Sequence, residues 1–130
     1  MRNLFIISAI LILSVFRVSA QTIIPVKDAA NYAGKKITTC DKVFSIKVDK
    51  GNIILCLGGD SPDQFLTAVI KSSDRKNFRG KPELDFKGKD VCVTGKVTRE
   101  NGKPQIILSS SKQIHAIMMD NPIKQKSSFN

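Results

Sequence analysis

Residues 36–48 read KITTCDKVFSIKV, and this stretch decides the fold. Its apolar and β-branched side chains occupy odd positions from Ile37 to Val43 and even positions from Phe44 to Val48. Successive side chains of a strand point to opposite faces, so a change of parity inside one long strand predicts a β-bulge. We therefore expect a long, bulged first strand, and we expect Phe44 to belong to the core.

Four further runs have the composition and alternation of strands. Breaks rich in Gly, Pro, Asn and Asp separate them, and the Asn101-Gly102 pair is a strong signal for a tight hairpin between the last two. The four runs are Asn52–Leu57, Gln64–Lys71, Lys89–Thr98 and Pro104–Ser109. The side chains expected to point inward from them include Ile53, Leu55, Leu57, Val91, Val93, Val97, Ile106 and Leu108.

Two short helices complete the expected architecture. Pro25 can begin one and Gly34 can end it. A second short helix is expected over Ser73–Phe78, with Phe78 in the core. These elements predict an all-β fold, a five-stranded OB-type Greek-key barrel with a short N-terminal helix and a short helix between strands three and four.

The beginning of the chain has the pattern of a signal peptide. Met1–Asn3 is basic, Leu4–Phe16 is almost entirely apolar, and Val18–Ala20 offers small residues for cleavage before Gln21. The alternative is an uncleaved membrane anchor, but a spanning helix needs roughly 20 apolar residues. We expect a signal peptide over 1–20, an OB-fold domain over 21–115, a flexible basic tail over 116–130, no stable membrane insertion after cleavage, and a periplasmic or secreted location.

The charge balance of the chain is strongly basic. Lysine and arginine number 21 against 11 acidic residues, and the formal net charge is +10 at pH 7. A basic surface attracts polyanions such as single-stranded DNA or RNA, acidic polysaccharide or anionic lipid. The alternative is that the charge serves solubility alone.

Three segments resemble a known family, the secreted bacterial OB-fold domains of the nucleic-acid-binding, tRNA-anticodon-binding-like type. They read KKITTCDKVFSIKV over 35–48, LGGDSPDQFLTAVIKSSDRKNF over 57–78 and FKGKDVCVTGKVTRENGKPQIILSSSKQI over 86–114. Some members of this family stand alone behind a signal peptide, and others are appended to secreted nucleases. The chain departs from the family in two places. Asp41 stands where the family usually has a bulge glycine, and Cys56 where it often has a polar residue.

The barrel implied by this resemblance brings two of the three cysteines together. Cys40 and Cys92 both point outward by parity, and strands one and four of an OB barrel are neighbours. We therefore expect a Cys40–Cys92 disulfide, with Cys56 as the odd thiol. The alternative is two isolated, half-buried thiols.

The same fold locates a candidate binding groove. OB domains bind chain-like ligands across strands two and three, between the one–two and four–five loops. Basic residues border this region, and Phe65 is the aromatic residue best placed to stack on a base. The alternative is a solvated charged face. The candidate binding residues are Lys47, Lys50, Phe65, Lys71, Arg75, Arg99 and Lys103.

The sequence offers little for catalysis. The single histidine, His115, follows the fifth strand, and no paired carboxylates or metal-ligand spacing are recognisable. We expect no enzyme activity, no catalytic residues, no metal and no cofactor. The leading hypothesis is a binding module for single-stranded nucleic acid or another extended polyanion. The alternative is a module that binds an envelope protein or a glycan.

Overall fold

The structure is a computed structural model, and it describes residues 23–117. The predicted signal peptide over 1–20 lies outside the described residues. The same is true of the predicted C-terminal tail from residue 118 onward. Of the predicted tail, the structure describes Ala116, in the last strand, and Ile117, whose amide donates to the carbonyl of Asp90 over 2.8 Å.

Seven strands form one sheet that curls into a barrel. Their spatial order is β1-β2-β3-β4-β6-β5-β7, and an additional pairing of β2 with β5 closes the ring. The predicted OB-type barrel is confirmed, and its five predicted strands are β2 to β6. The strands are β1 (Ile23–Ile24), β2 (Lys36–Asp49), β3 (Asn52–Leu57), β4 (Leu66–Ile70), β5 (Asp90–Glu100), β6 (Lys103–Ile107) and β7 (Ile114–Ala116). β1 and β7, which were not predicted, are too short to show an alternating pattern.

β2 belongs to two pairings at once. Its first part runs antiparallel to β5 and its second part antiparallel to β3, with the register shift between Val43 and Ser45. The predicted bulge is therefore confirmed, but its expected location at Asp41 was wrong, because Asp41 pairs regularly with Val91. The expectation that Phe44 lies in the core was also wrong. Phe44 is 47% exposed, since it occupies the irregular position where the strand changes partners.

The inside of the barrel is filled by the side chains that alternation predicted, together with Leu66 and Ile70 of β4, for which no facing was predicted. Each strand of the ring contributes every second residue, so branched aliphatic groups from facing strands interdigitate. Gly95 leaves space in this interior, because a Cβ there would lie 2.5 Å from Cγ2 of Ile106. The fully buried core side chains include Ile53, Leu55, Leu57, Leu66, Ile70, Ile106, Leu108, Val43, Val91, Val93 and Val97.

Short helices pack against the barrel. A 3₁₀ helix over Val26–Tyr32 follows Pro25 and buries Val26 and Ala29. A second 3₁₀ helix, Ser72–Asn77, precedes the buried Phe78, so the predicted helix and its core aromatic residue are both present. The remaining helices are α1 (Pro82–Asp85) and a 3₁₀ helix over Ser111–Gln113. None of the helices in the described part of the chain is long and apolar enough to cross a membrane.

Two of the cysteines form the expected bond. Cys40 and Cys92 are direct partners in the β2–β5 register, 52 positions apart in sequence, and are joined by a disulfide. Cys56 is a free thiol and is buried. The disulfide links the two strands that close the ring.

Candidate functional site

The outer face of β2, β3, β4 and β6 carries a continuous row of side chains. Lys47 pairs with Ile54, Ile54 with Val69, and Val69 with Ile107. Their inward neighbours fill the core, so these side chains point away from it. The three aliphatic members are partly exposed and Lys47 is exposed. The row is therefore an apolar strip on the surface with a cation at one end.

The adjacent row on the same face contains one buried side chain, that of Cys56. It contains Ser45, Cys56, Thr67 and Gln105, which are cross-strand partners in that order. Cys56 is 1% exposed, although it points outward and does not belong to the apolar core cluster. Because Ser45, Thr67 and Gln105 stay partly exposed, the cover is local to Cys56, and the β3–β4 loop, residues 58–65, begins directly after β3 on this side.

Two lysines on opposite sides of the face hold the β3–β4 loop. Nζ of Lys47, on β2, donates to Oγ of Ser61 over 2.9 Å. Nζ of Lys103, on β6, donates to the carbonyl oxygen of Pro62 over 2.6 Å. Because β3 and β4 lie between β2 and β6, the loop spans the outer face between the two ammonium groups.

A turn inside this loop presents a carboxylate. The amide of Asp63 donates to the carbonyl of Asp60 over 2.7 Å, which closes the turn. The hydroxyl of Ser45, the amide of Ser61 and the charge of Lys47 together hold the pKa of Asp60 below its ordinary value, the Ser45 hydroxyl having the largest effect. The loop thus places the carboxylate of Asp60 near the ammonium group of Lys47.

Phe65 lies where the loop rejoins β4. Its ring is 49% exposed, and its amide donates to the carbonyl of Leu57 over 3.1 Å. Gly58 allows this approach, because a Cβ at Gly58 would lie 2.7 Å from Cδ2 of Phe65, and because its φ is +78°. Phe65 is therefore an accessible aromatic surface at the loop that Lys47 and Lys103 hold.

Lys50 and Lys71 lie together at the other end of the same face. Lys50 is in the β2–β3 turn, and Lys71 directly follows β4. The two segments are joined because Oδ1 of Asn52 accepts the amide of Ser72 over 2.9 Å. Both lysines are exposed. These two cations therefore lie beyond the apolar strip in the strand direction, at the end of the face away from the β3–β4 loop.

The two predicted arginines have partners elsewhere. Nη2 of Arg99 donates to the carbonyl of Ala30 over 3.2 Å, which fastens the N-terminal 3₁₀ helix to β5. Nη2 of Arg75 lies 3.0 Å from a carboxylate oxygen of Glu83, and its Nη1 donates to the carbonyl of Gly80 over 3.3 Å. These contacts place Arg75 in the connection between β4 and β5, so the structure does not bring it to the apolar strip.

Sequence reasoning missed the part played by Ser61 and Pro62. The segment from Gly58 to Pro62 has the composition of a turn, and nothing in its spacing indicates where the turn folds. Its position depends on Lys47 and Lys103, which are distant in sequence. Within residues 23–117, no three His, Cys, Asp or Glu side chains come close enough to hold a metal ion.

Comparisons with known proteins establish the fold alone. No family model and no curated protein matches the chain. Among solved structures, the S. pombe Stn1–Ten1 complex shares 18% identity and a TM-score of 0.51, over 72% of this chain and 65% of that one. Asparaginyl-tRNA synthetase from Pyrococcus horikoshii shares 19% identity and a TM-score of 0.50, over 73% of this chain and 23% of the synthetase. The chain therefore corresponds to part of each of these proteins.

Proposed function

We propose that the chain is an exported, non-catalytic OB-fold module that binds single-stranded nucleic acid along the outer face of β2, β3, β4 and β6. One observation carries the proposal. Lys47 and Lys103 stand on opposite sides of this face, and both already hold oxygen atoms of the chain itself. Donors that hold a hydroxyl and a carbonyl oxygen are suited to phosphate oxygens, which accept stronger, charge-assisted bonds.

The surface between the lysines suits the rest of a nucleotide strand. Ile54, Val69 and Ile107 offer a partly exposed apolar strip, and Phe65 offers an aromatic ring at the loop. Single-strand binders combine a cationic track for the backbone with surfaces on which bases stack. Lys50 and Lys71 add cations at the end of the face away from the β3–β4 loop.

We infer that a phosphate chain at Lys47 and Lys103 displaces the β3–β4 loop from these two ammonium groups. Asp60 and Asp63 make this loop acidic, so a phosphate chain and the loop compete for the same cations. The exchange replaces two bonds to neutral oxygen atoms with bonds to charged phosphate oxygens, and it moves the carboxylate of Asp60 away from Lys47. We infer that the loop weakens the binding of anions with little charge, because they compete poorly with it for Lys47 and Lys103.

The known proteins with this fold are compatible with such a ligand. They include tRNA synthetases, which are named for a nucleic acid. The N-terminal sequence, with its basic start, apolar run and small residues before Gln21, supports export to the periplasm or beyond. The Cys40–Cys92 disulfide suits an oxidising compartment.

The test is a binding measurement with the mature protein and labelled oligo-dT and oligo-U at two salt concentrations. We expect binding that weakens steeply with salt, because each phosphate contact releases counterions. Absence of salt-dependent binding to either strand contradicts the proposal. Cleavage of plasmid or RNA by the pure protein with divalent metal contradicts the non-catalytic part.

The same experiment separates the other candidate partners. An acidic polysaccharide that binds more tightly than the oligonucleotides at equal charge identifies a glycan ligand and overturns the nucleic-acid proposal. Retention of an envelope protein after nuclease treatment, without oligonucleotide binding, identifies a protein-interaction module instead.

A further inference from the structure

A second group of basic residues lies on a different part of the barrel surface. Lys36 of β2 and Lys96 of β5 are direct cross-strand partners, and both are exposed. Like charges directly opposite each other on neighbouring strands destabilise a sheet. The pair therefore weakens the closing β2–β5 pairing, and an anion bound beside Lys36 reduces the repulsion.

The surface beside Lys36 is concave. An open pocket of about 390 Å³ is lined by Lys36, Thr94, Lys112, Gln113 and His115. These residues come from β2, β5, the Ser111–Gln113 helix and β7, so the pocket exists only in the folded barrel. None of the lining residues is acidic.

Hydrogen bonds hold two of the lining residues, Thr94 and Gln113, in place. Oγ1 of Thr94 lies 2.8 Å from Oγ1 of Thr38. Nε2 of Gln113 donates to the carbonyls of Thr94 and Ile107, each over 3.1 Å. Oε1 of Gln113 accepts the amide of Ser110 over 3.0 Å. Gln113 thus fastens the short helix that carries Lys112 to the edge of β5.

We propose that this pocket binds a phosphate-type oxyanion. Two lysines, an imidazole and a threonine hydroxyl on a shaped surface are the donors that such an anion requires. The Lys36–Lys96 pair adds to this argument, because an anion at Lys36 also screens the like charge that lies opposite it on β5. The site is separate from the groove of Lys47 and Lys103 and does not depend on the function proposed for that groove.

The experiment uses inorganic tripolyphosphate as the probe. Its effect on the melting temperature of the mature protein is compared with that of sodium chloride at matched ionic strength, and its affinity is measured by calorimetry. We expect tripolyphosphate to raise the melting temperature of the wild type. A Lys36→Gln/Lys112→Gln variant loses on the order of tenfold or more in affinity, as expected for two lost charge-assisted bonds.

Three comparisons decide the outcome. Lys96→Gln alone should raise the melting temperature of the unliganded protein, because it removes the repulsion on Lys36. A Lys27→Gln/Lys87→Gln variant, matched in charge, should keep the affinity of the wild type. The proposal is overturned if tripolyphosphate acts no more strongly than sodium chloride, or if the Lys36→Gln/Lys112→Gln and Lys27→Gln/Lys87→Gln variants weaken equally.

The groove variant Lys47→Gln/Lys103→Gln separates this site from the proposed function. This variant should retain tripolyphosphate binding. If it loses that binding, the anion binds in the groove and the inference is overturned. Short strands with a terminal phosphate or a terminal hydroxyl, tested on this variant, distinguish the source of the anion. A preference for the phosphorylated strand supports a strand end, and equal, weak binding of both supports a free phosphate compound.

Discussion

Cys40 and Cys92 lie directly opposite each other on β2 and β5, with their Cα atoms 4.0 Å apart, and their disulfide fastens the pairing that closes the barrel. The remaining pairings of the five main strands join elements nearer in sequence, such as β2 with β3 and β5 with β6. The bond therefore ties the contact that the unfolded chain finds hardest to form.

Replacing both residues of this bond, as Cys40→Ser/Cys92→Ser, should lower the free energy of unfolding by about 4 kcal/mol, because the cross-link restricts the unfolded chain over a long loop. Urea denaturation of the oxidised wild type and the variant measures the difference. Cys56→Ala serves as the control for loss of a thiol. Equal midpoints for wild type and double variant would show that the bond contributes nothing.

Removing either groove lysine, as Lys47→Gln or Lys103→Gln, should weaken oligonucleotide binding and lower the slope of log affinity against log salt by about 0.7, the value for one phosphate contact on a single strand. Fluorescence anisotropy at several salt concentrations measures both quantities. Lys87→Gln, at an exposed position outside the face, is the matched control. If the slope of log affinity against log salt is unchanged in both variants, Lys47 and Lys103 do not contact the phosphates.

Cys56 reports on the β3–β4 loop. Because its thiol is 1% exposed, we expect it to react slowly with a thiol reagent in the native protein. Lys47→Gln/Lys103→Gln should accelerate the reaction, since it removes both side-chain anchors of the loop, and saturating oligonucleotide should accelerate it in the wild type. Cys56→Ala provides the background. A rate that oligonucleotide leaves unchanged would mean that the loop stays in place on binding.

Asp60 makes stability depend on pH in the acid range. The folded state lowers the pKa of Asp60 below its ordinary value of 3.8, so folding favours the carboxylate. This stabilisation is fully present above pH 3.8 and disappears as the pH falls through the lower pKa of the folded state. Unfolding of wild type and Asp60→Asn between about pH 5 and about pH 2 should show a difference that shrinks toward acid. A difference that is constant across this range contradicts the assignment.

Gly95→Ala should destabilise the barrel by about 1–3 kcal/mol, because the added methyl group meets Ile106 in a filled interior. Thr98→Ala, at an exposed position of the same strand, should cost less than about 1 kcal/mol. Thermal denaturation of both variants tests this. Equal stability of Gly95→Ala and wild type would show that Ile106 moves aside freely.

Local rules were sufficient for the five main strands of the barrel. Val91, Val93 and Val97 alternate with outward residues, and Asn101-Gly102 marks the hairpin, so strand and facing were both predictable. The outward parity of Cys40 and Cys92, combined with the order of strands in an OB barrel, led to the disulfide. The alternation rule failed for Phe44, because a residue at a register shift has no regular cross-strand partner and its side chain can point to either side of the sheet.

The candidate site was predictable only in part. The positions of Lys47 and Lys50 follow from the first hairpin, and Lys103 follows from the last. The bond from Lys103 to Pro62, by contrast, joins residues 41 positions apart and depends on how the loop packs. Arg75 has an acidic residue nearby in sequence, since Glu83 lies eight positions later. In the fold, the guanidinium of Arg75 donates a hydrogen bond to the carboxylate of Glu83.

The bend in β2 imposes an order on how the chain assembles. The β2–β3 and β5–β6 hairpins are local and can form early. The first part of β2 must wait for β5, whose paired residues lie 48 to 60 positions further along the chain. Folding rates fall as native contacts become more distant along the chain. Closure of the ring at β2 and β5 is therefore expected as the late and slow event, and until then the edge of the first part of β2 is open to pairing with other chains.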